Sequence, residues 1–133
     1  MAAGILDTNA IILLEHLDAD DLPSEPVITA VTLAELSVGP LVATSSRERA
    51  ARQARLQEVE AAFEPLPFDA AAARTFGGVA AALRRSGRKP SARAFDALIA
   101  ATAIANHLPL YTCNPRDYAG IEGLELVAIP HPA

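Results

Sequence analysis

Short unbroken apolar runs alternate along this chain with longer stretches in which apolar residues recur at helical spacing. Residues 3–6 predict a first strand, and Thr8 or Asn9 is placed to cap a helix reaching about residue 16. The acidic, proline-containing stretch 18–26 reads as a loop and 27–30 as a second strand, after which Thr32 opens a helix through about residue 42. Residues 47–63 are rich in Ala, Arg, Gln and Glu and are helical by propensity. Residues 66–68 predict a third strand at a sheet edge, because Pro65 and Pro67 lack the N–H that a central strand must donate. Asp69 caps another helix to about residue 85, loosened at Gly77 and Gly78. Residues 92–107 predict a further helix, and 110–113 and 124–129 the fourth and fifth strands.

Alternating strand and helix implies a mainly parallel sheet with helices on both faces, a three-layer α/β domain covering residues 1–133. In such sheets ligands bind beyond the carboxyl ends of the strands, where strand order reverses. The residues that follow the strands are Asp7, Thr32 with Glu35, and 112–117.

Composition changes this picture little, but charge does. Of 133 residues, 51% are apolar, which excludes a disordered or fibrous chain, and 16 acids against 11 bases leave a net charge of -5. Nucleic-acid binders usually run basic, so the total argues against that class. Its distribution argues otherwise. Residues 1–46 hold seven acids and no Lys or Arg, 47–93 hold ten bases and five acids, and 94–133 hold four acids and one base. An acidic frame around a basic middle suits a cation site beside an anion-binding surface.

The single cysteine, Cys113, excludes an internal disulfide and fits a reducing compartment. The N-terminal stretch has no basic start, its first positive charge being Arg47, and Asp7 interrupts its apolar run. A soluble cytoplasmic domain is the expectation.

Four carboxylates stand out. Asp7 ends an apolar strand, where helix capping is the plain explanation; Thr8 and Asn9 can cap as well, which frees it for other work. Thr32 and Glu35 have the spacing of a capping box, a structural account of equal weight to a functional one. Asp96 is the only charge in the stretch 94–105, a helix apolar nearly all round. A carboxylate buried there needs a metal or a partner, for which Arg93 is the candidate. Asp117 follows the fourth strand, in a turn opened by Asn114 and Pro115. All four map near one rim of the predicted sheet. Oxygen-only ligation without a His or Cys cluster points to Mg2+ or Mn2+ rather than zinc.

The successive segments ILDTNAII, TLAEL, FDALIAATA and LYTCNPRDY, in this order and over this length, resemble PIN-domain ribonucleases. More narrowly, they are similar to VapC-type toxins of bacterial type II toxin–antitoxin systems. The resemblance covers essentially the whole chain, and its strength lies in four motifs in order. It implies a five-stranded sheet of order 3-2-1-4-5. It also implies a catalytic, metal-binding core of Asp7, Glu35 and Asp96, completed by an acid after the fourth strand. Asn114 stands at one of the two places where that acid can occur and Asp117 at the other, so either is a candidate. Thr8, Asn9 and Thr112 would orient the carboxylates. The implied activity is Mg2+-dependent hydrolysis of RNA phosphodiesters by a toxin that a cognate antitoxin neutralises and that commonly forms homodimers.

The bases form two groups. Arg47, Arg49, Arg52 and Arg55 lie on one helix, where a solvated face explains them. Arg84, Arg85, Arg88, Lys89 and Arg93 lead directly into the helix carrying Asp96, where an RNA backbone would lie. Leu13, Leu14, Leu17 and Leu41 are candidates for an apolar partner groove, with core packing the plainer role. A phosphate-cradling Gly loop, a Cys113–His107 nucleophile pair and a triad of the scattered His16, His107 and His131 are all rejected on spacing. Two other readings compete. A receiver-like signalling module needs a Lys after a late strand, and the only Lys is Lys89, before a helix. A PIN-like domain that binds RNA without cutting it is opposed by its intact acids.

Overall fold

The computed structural model describes residues 3–89 and 93–132. Four short parallel strands form its sheet: β1 (Ala3–Leu6), β2 (Glu25–Val27), β3 (Leu110–Thr112) and β4 (Leu126–Ala128), in the order β2-β1-β3-β4. Ile5 aligns with Val27 on one side and Leu110 on the other, and Leu110 aligns in turn with Leu126. Five helices connect them: α1 (Thr8–Ile12), α2 (Ala30–Val38), α3 (Ser46–Ala62), α4 (Ala70–Arg85) and α5 (Ala94–Ala105).

The expected five-stranded sheet is corrected to four strands. Where an edge strand at 66–68 was predicted, Leu66 alone bridges to Thr29, in parallel. Its N–H donates to the Ile28 carbonyl at 2.9 Å and its carbonyl accepts from Ala30 N–H at 2.8 Å. Pro65 and Pro67 on either side have no N–H to extend the ladder, so pairing stops after one residue. The bridge still lies beside the segment following β2, where the predicted order put the third strand. The second strand also shifts, ending at Val27 rather than beginning there.

Adjacent strand residues point to opposite faces, and this divides the core in two. Ile5 and Leu110 pack with Val79 and Leu83 of α4 and with Ala97, Ala100, Ala101 and Ala103 of α5. Leu6 packs on the other face with Ala10, Ile11, Leu36 and Val59, from α1, α2 and α3. The expected three layers are present. The small residues of α5 let it approach α4 closely, and Gly77 and Gly78 do not break α4, which runs unbroken with Asp69 as its cap. The start predicted for α5 at Ala92 lies outside the described residues. Gly4 is required by the close approach of Tyr111, whose ring a Cβ would meet.

Two helix starts differ from expectation. Thr29, not Thr32, caps α2, its hydroxyl accepting from Thr32 N–H at 3.2 Å. The capping-box reading of Thr32 and Glu35 therefore falls, because Thr32 lies inside the first turn and its side chain faces Thr8. At α1 the cap is Asp7 itself, and the helix stops at Ile12 before a separate 3-10 turn, Leu14–His16.

Candidate acidic site

Asp7 leaves β1 only 4% exposed, with both carboxylate oxygens in use. Oδ1 accepts from Ala10 N–H at 2.9 Å, the capping bond of α1. Oδ2 accepts from the Thr112 hydroxyl at 2.6 Å and the Tyr118 hydroxyl at 3.2 Å. Capping and a place in the site are thus carried by different oxygens of one side chain, so Asp7 does both. Burial raises its pKa above the ordinary value; the bonds from Thr112, Ala10 and Tyr118 oppose that shift, and the charge on Asp117 adds to it.

Tyr118 extends the connection. Its ring is buried in the face that packs α4 and α5, and its hydroxyl also lies 3.3 Å from Asp96 Oδ1. A single hydroxyl proton serves one carboxylate at a time, so Asp7 and Asp96 compete for it. Burial first, then the two acids, push the phenol pKa well above its usual range.

Asp96 stands in the first turn of α5, its side chain 29% exposed, so it is less enclosed than the apolar helix around it suggested. Its pKa is pushed up to about 6, chiefly by burial and then by the negative charge of Asp117. Arg93 Nη1 lies 3.1 Å from Asp117 Oδ1 and 3.9 Å from Asp96 Oδ2. The arginine predicted both as a partner for Asp96 and as an RNA contact is thus an ion-pair partner of two site acids.

Glu35 comes from α2. It accepts a short hydrogen bond from the Thr8 hydroxyl, which also lies 3.0 Å from the Thr32 hydroxyl. Burial raises the Glu35 pKa, Thr8 opposes the shift, and the charge on Asp7 reinforces it. Asp96 in turn feels both Asp7 and Glu35. Asp96 thus feels the charge of each of the other three predicted acids.

The remaining expected residues divide. Thr8 and Thr112 hold acids directly. Asn114 donates its backbone N–H to Thr112 Oγ1 at 2.9 Å, which steadies the residue that holds Asp7. Asn9 is exposed and lines a cavity of about 330 Å³ with Thr8, Glu35, Arg52 and Arg55. Among the bases, Arg85 pairs with Glu122 at 3.4 Å, and Arg88 donates to the Arg116 carbonyl beside Asp117. Arg84 and Lys89 are exposed.

Sequence reasoning passed over Tyr118 and the placement of Arg52 and Arg55 beside Glu35, and it read Thr32 as a helix cap rather than as a neighbour of Thr8. The available signal for Tyr118 was its kind: a buried tyrosine hydroxyl needs a polar partner, and this one directly follows a candidate acid.

Four carboxylates with hydroxyl neighbours form an oxygen-only donor set, suited to a hard divalent cation, and their mutual repulsion is what such a charge relieves. Among the described residues no three acids stand close enough to enclose one ion. A hydroxyl and a guanidinium bridge them instead. The chemistry of the donors fits a metal, which Asp7, Glu35, Asp96 and Asp117 would hold.

The PIN domain family model matches residues 5–121. The chain belongs to the PIN domain family. Within it, this PIN domain is 41% identical to Ribonuclease VapC5 of Mycobacterium tuberculosis (strain ATCC 25618 / H37Rv) over 131 residues, 96% of this chain and 94% of that protein. It is 29% identical to Ribonuclease VapC1 of Rickettsia felis over 94% of this chain and 95% of that one. The crystal structure of VapBC-5 from Mycobacterium tuberculosis superposes with a TM-score of 0.80 at 39% identity, covering 96% of this PIN domain and 99% of that chain. The DNA-bound VapBC structure from Salmonella typhimurium follows at 0.72 and 26% identity, over 95% and 97%. The PIN domain is of the VapC type.

Proposed function

We propose that this VapC-type PIN domain is a toxic, metal-dependent endoribonuclease, hydrolysing RNA phosphodiester bonds and neutralised by a cognate antitoxin. The observation that carries the reading is the set of four carboxylates gathered around Asp96 at the carboxyl rim of the sheet, in a chain 41% identical to a ribonuclease. Asp7, Glu35, Asp96 and Asp117 are the residues assigned to hold Mg2+, with Mn2+ as a substitute. Asp117 is preferred over Asn114 because its charge acts on both Asp7 and Asp96. When bound, the ion supplies a Lewis acid for the phosphoryl group and lowers the pKa of a water.

The chain's own residues prepare that chemistry. Thr112, Tyr118 and Ala10 N–H fix both oxygens of Asp7, and Thr8 fixes Glu35. Arg93 offsets part of the charge between Asp96 and Asp117. Arg84, Arg85, Arg88 and Lys89, with Arg93, are assigned to the RNA backbone, Arg88 and Arg93 on the Asp117 side of the site. An antitoxin partner is supported by the VapBC complexes among the structural neighbours, and a homodimer follows from the resemblance. A cytoplasmic setting agrees with the free, buried Cys113. No described helix is long and apolar enough to cross a membrane.

The deciding experiment is cleavage of single-stranded RNA by the purified protein, with Mg2+, with EDTA and with Mg2+ restored, beside Asp96→Asn. Cleavage that needs the metal and disappears in a folded Asp96→Asn protein is expected. Equal cleavage by that variant would remove Asp96 from the site, and cleavage in EDTA would remove the metal.

A further inference from the structure

The cavity beside Glu35 contains a cation that the acidic site does not use. Arg52 and Arg55 of α3 line it together with Thr8, Asn9 and Glu35, three positions apart and so on one face of the helix. Their situations differ. Arg52 is engaged at both terminal nitrogens: Nη1 donates to the Gly39 carbonyl at 2.9 Å and Nη2 lies 3.2 Å from Glu48. Arg55 is half-buried, yet it makes no ion pair and no side-chain hydrogen bond with any described residue. Glu15 and Glu58 line the groove on its other flank, and neither is within ion-pair distance. A guanidinium partly withdrawn from water, with no described anion within ion-pair distance, is prepared for an anionic ligand.

Resting on the ribonuclease reading of the acidic site, we infer that Arg55 binds a phosphate of the RNA strand on the Glu35 side. The acids repel the polyanion they are assigned to cut, so phosphates flanking the scissile bond need cations at the margin of the site. On the Asp117 side Arg88 and Arg93 border the acids, and on the Glu35 side Arg55 is the cation left without an internal partner among the described residues. Its planar fork matches phosphate oxygens two at a time. The assignment moves one contact to the helix whose arginines the sequence left as a solvated face.

The test uses the full chain carrying Asp96→Asn, so that the probe survives, and a fluorescent single-stranded RNA oligonucleotide read by anisotropy over a salt series. Adding Arg55→Gln should weaken binding by about tenfold and reduce the slope of log K against log salt by about 0.7, the loss of one phosphate contact. Arg55→Lys should restore part of both. Arg49→Gln makes the same charge change on the same helix, beside Leu41 rather than Glu35, and should weaken binding less than about twofold. Equal effects at positions 49 and 55, or none at 55, overturn the inference and leave the ribonuclease reading standing. No RNA binding by the parent protein overturns both. Normal RNA binding by Arg55→Gln in the Asp96→Asn background, with loss of neutralisation by the antitoxin when Arg55→Gln is placed in the chain that keeps Asp96, overturns the inference and assigns Arg55 to the protein partner instead.

Discussion

Thr112 donates its hydroxyl to Asp7 at 2.6 Å, joining residues 105 positions apart. The bond exists because β1 and β3 are neighbours in the sheet and both chains leave it at the same rim. The same hydroxyl accepts the Asn114 N–H, so one buried group fixes the acid and also the turn leading to Asp117. Valine matches threonine in shape but can neither donate nor accept. Thr112→Val should cost about 2 kcal/mol of stability, with a lowered rate of RNA cleavage. Thr112→Ser, which keeps both bonds, should lose less of each. Chemical denaturation of the three proteins checks the order, and equal stability of the Val and Ser variants would contradict it.

Tyr118 separates packing from site geometry. Tyr118→Phe keeps the ring against its neighbours and removes the hydroxyl shared by Asp7 and Asp96. A folded protein with cleavage reduced by roughly 10–100-fold is expected, as for residues that orient metal-binding groups. Tyr118→Ala also opens a cavity in the core and should cost about 3–5 kcal/mol in addition. Near-equal melting of the Phe and Ala variants would show that the ring contributes little to the fold.

Asp96 makes the metal-free protein sensitive to pH in a definite direction. Its carboxyl has a pKa of about 6 when folded against an ordinary 3.8. Below 3.8 both folded and unfolded chains are protonated there. Between the two values only the folded chain holds the proton, so folding takes one up and stability falls as pH rises. Above 6 the loss is constant. In EDTA, the wild type should therefore lose stability relative to Asp96→Asn between pH 4 and 7. Thermal melts of both proteins across that range give the difference directly, and a flat difference would contradict the burial and repulsion assigned to Asp96.

The acids were legible in the chain because their placement breaks a local pattern. Asp7 ends an apolar strand, and Asp96 is the sole charge in an apolar helix. Their partners were not legible, since a hydroxyl from β3 or from the turn after it has no local signature. The capping box at Thr32 and Glu35 illustrates the difference. Its spacing was correct, but Thr29 occupies the cap, and this leaves Thr32 and Glu35 to face Thr8.

By itself the amino-acid sequence determined the alternation of strand and helix, the parallel α/β class and the segregation of charge, all of which follow from local periodicity and residue type, whereas the order of the strands came only from the family resemblance. Tertiary structure alone decided where pairing ends and which groups meet. Leu66 contributes one bridge because two prolines flank it, and Arg93 meets both Asp96 and Asp117 because α5 begins beside the turn after β3. Periodicity acts over a few residues, whereas a hydrogen bond between residues 7 and 112 depends on which strands lie side by side.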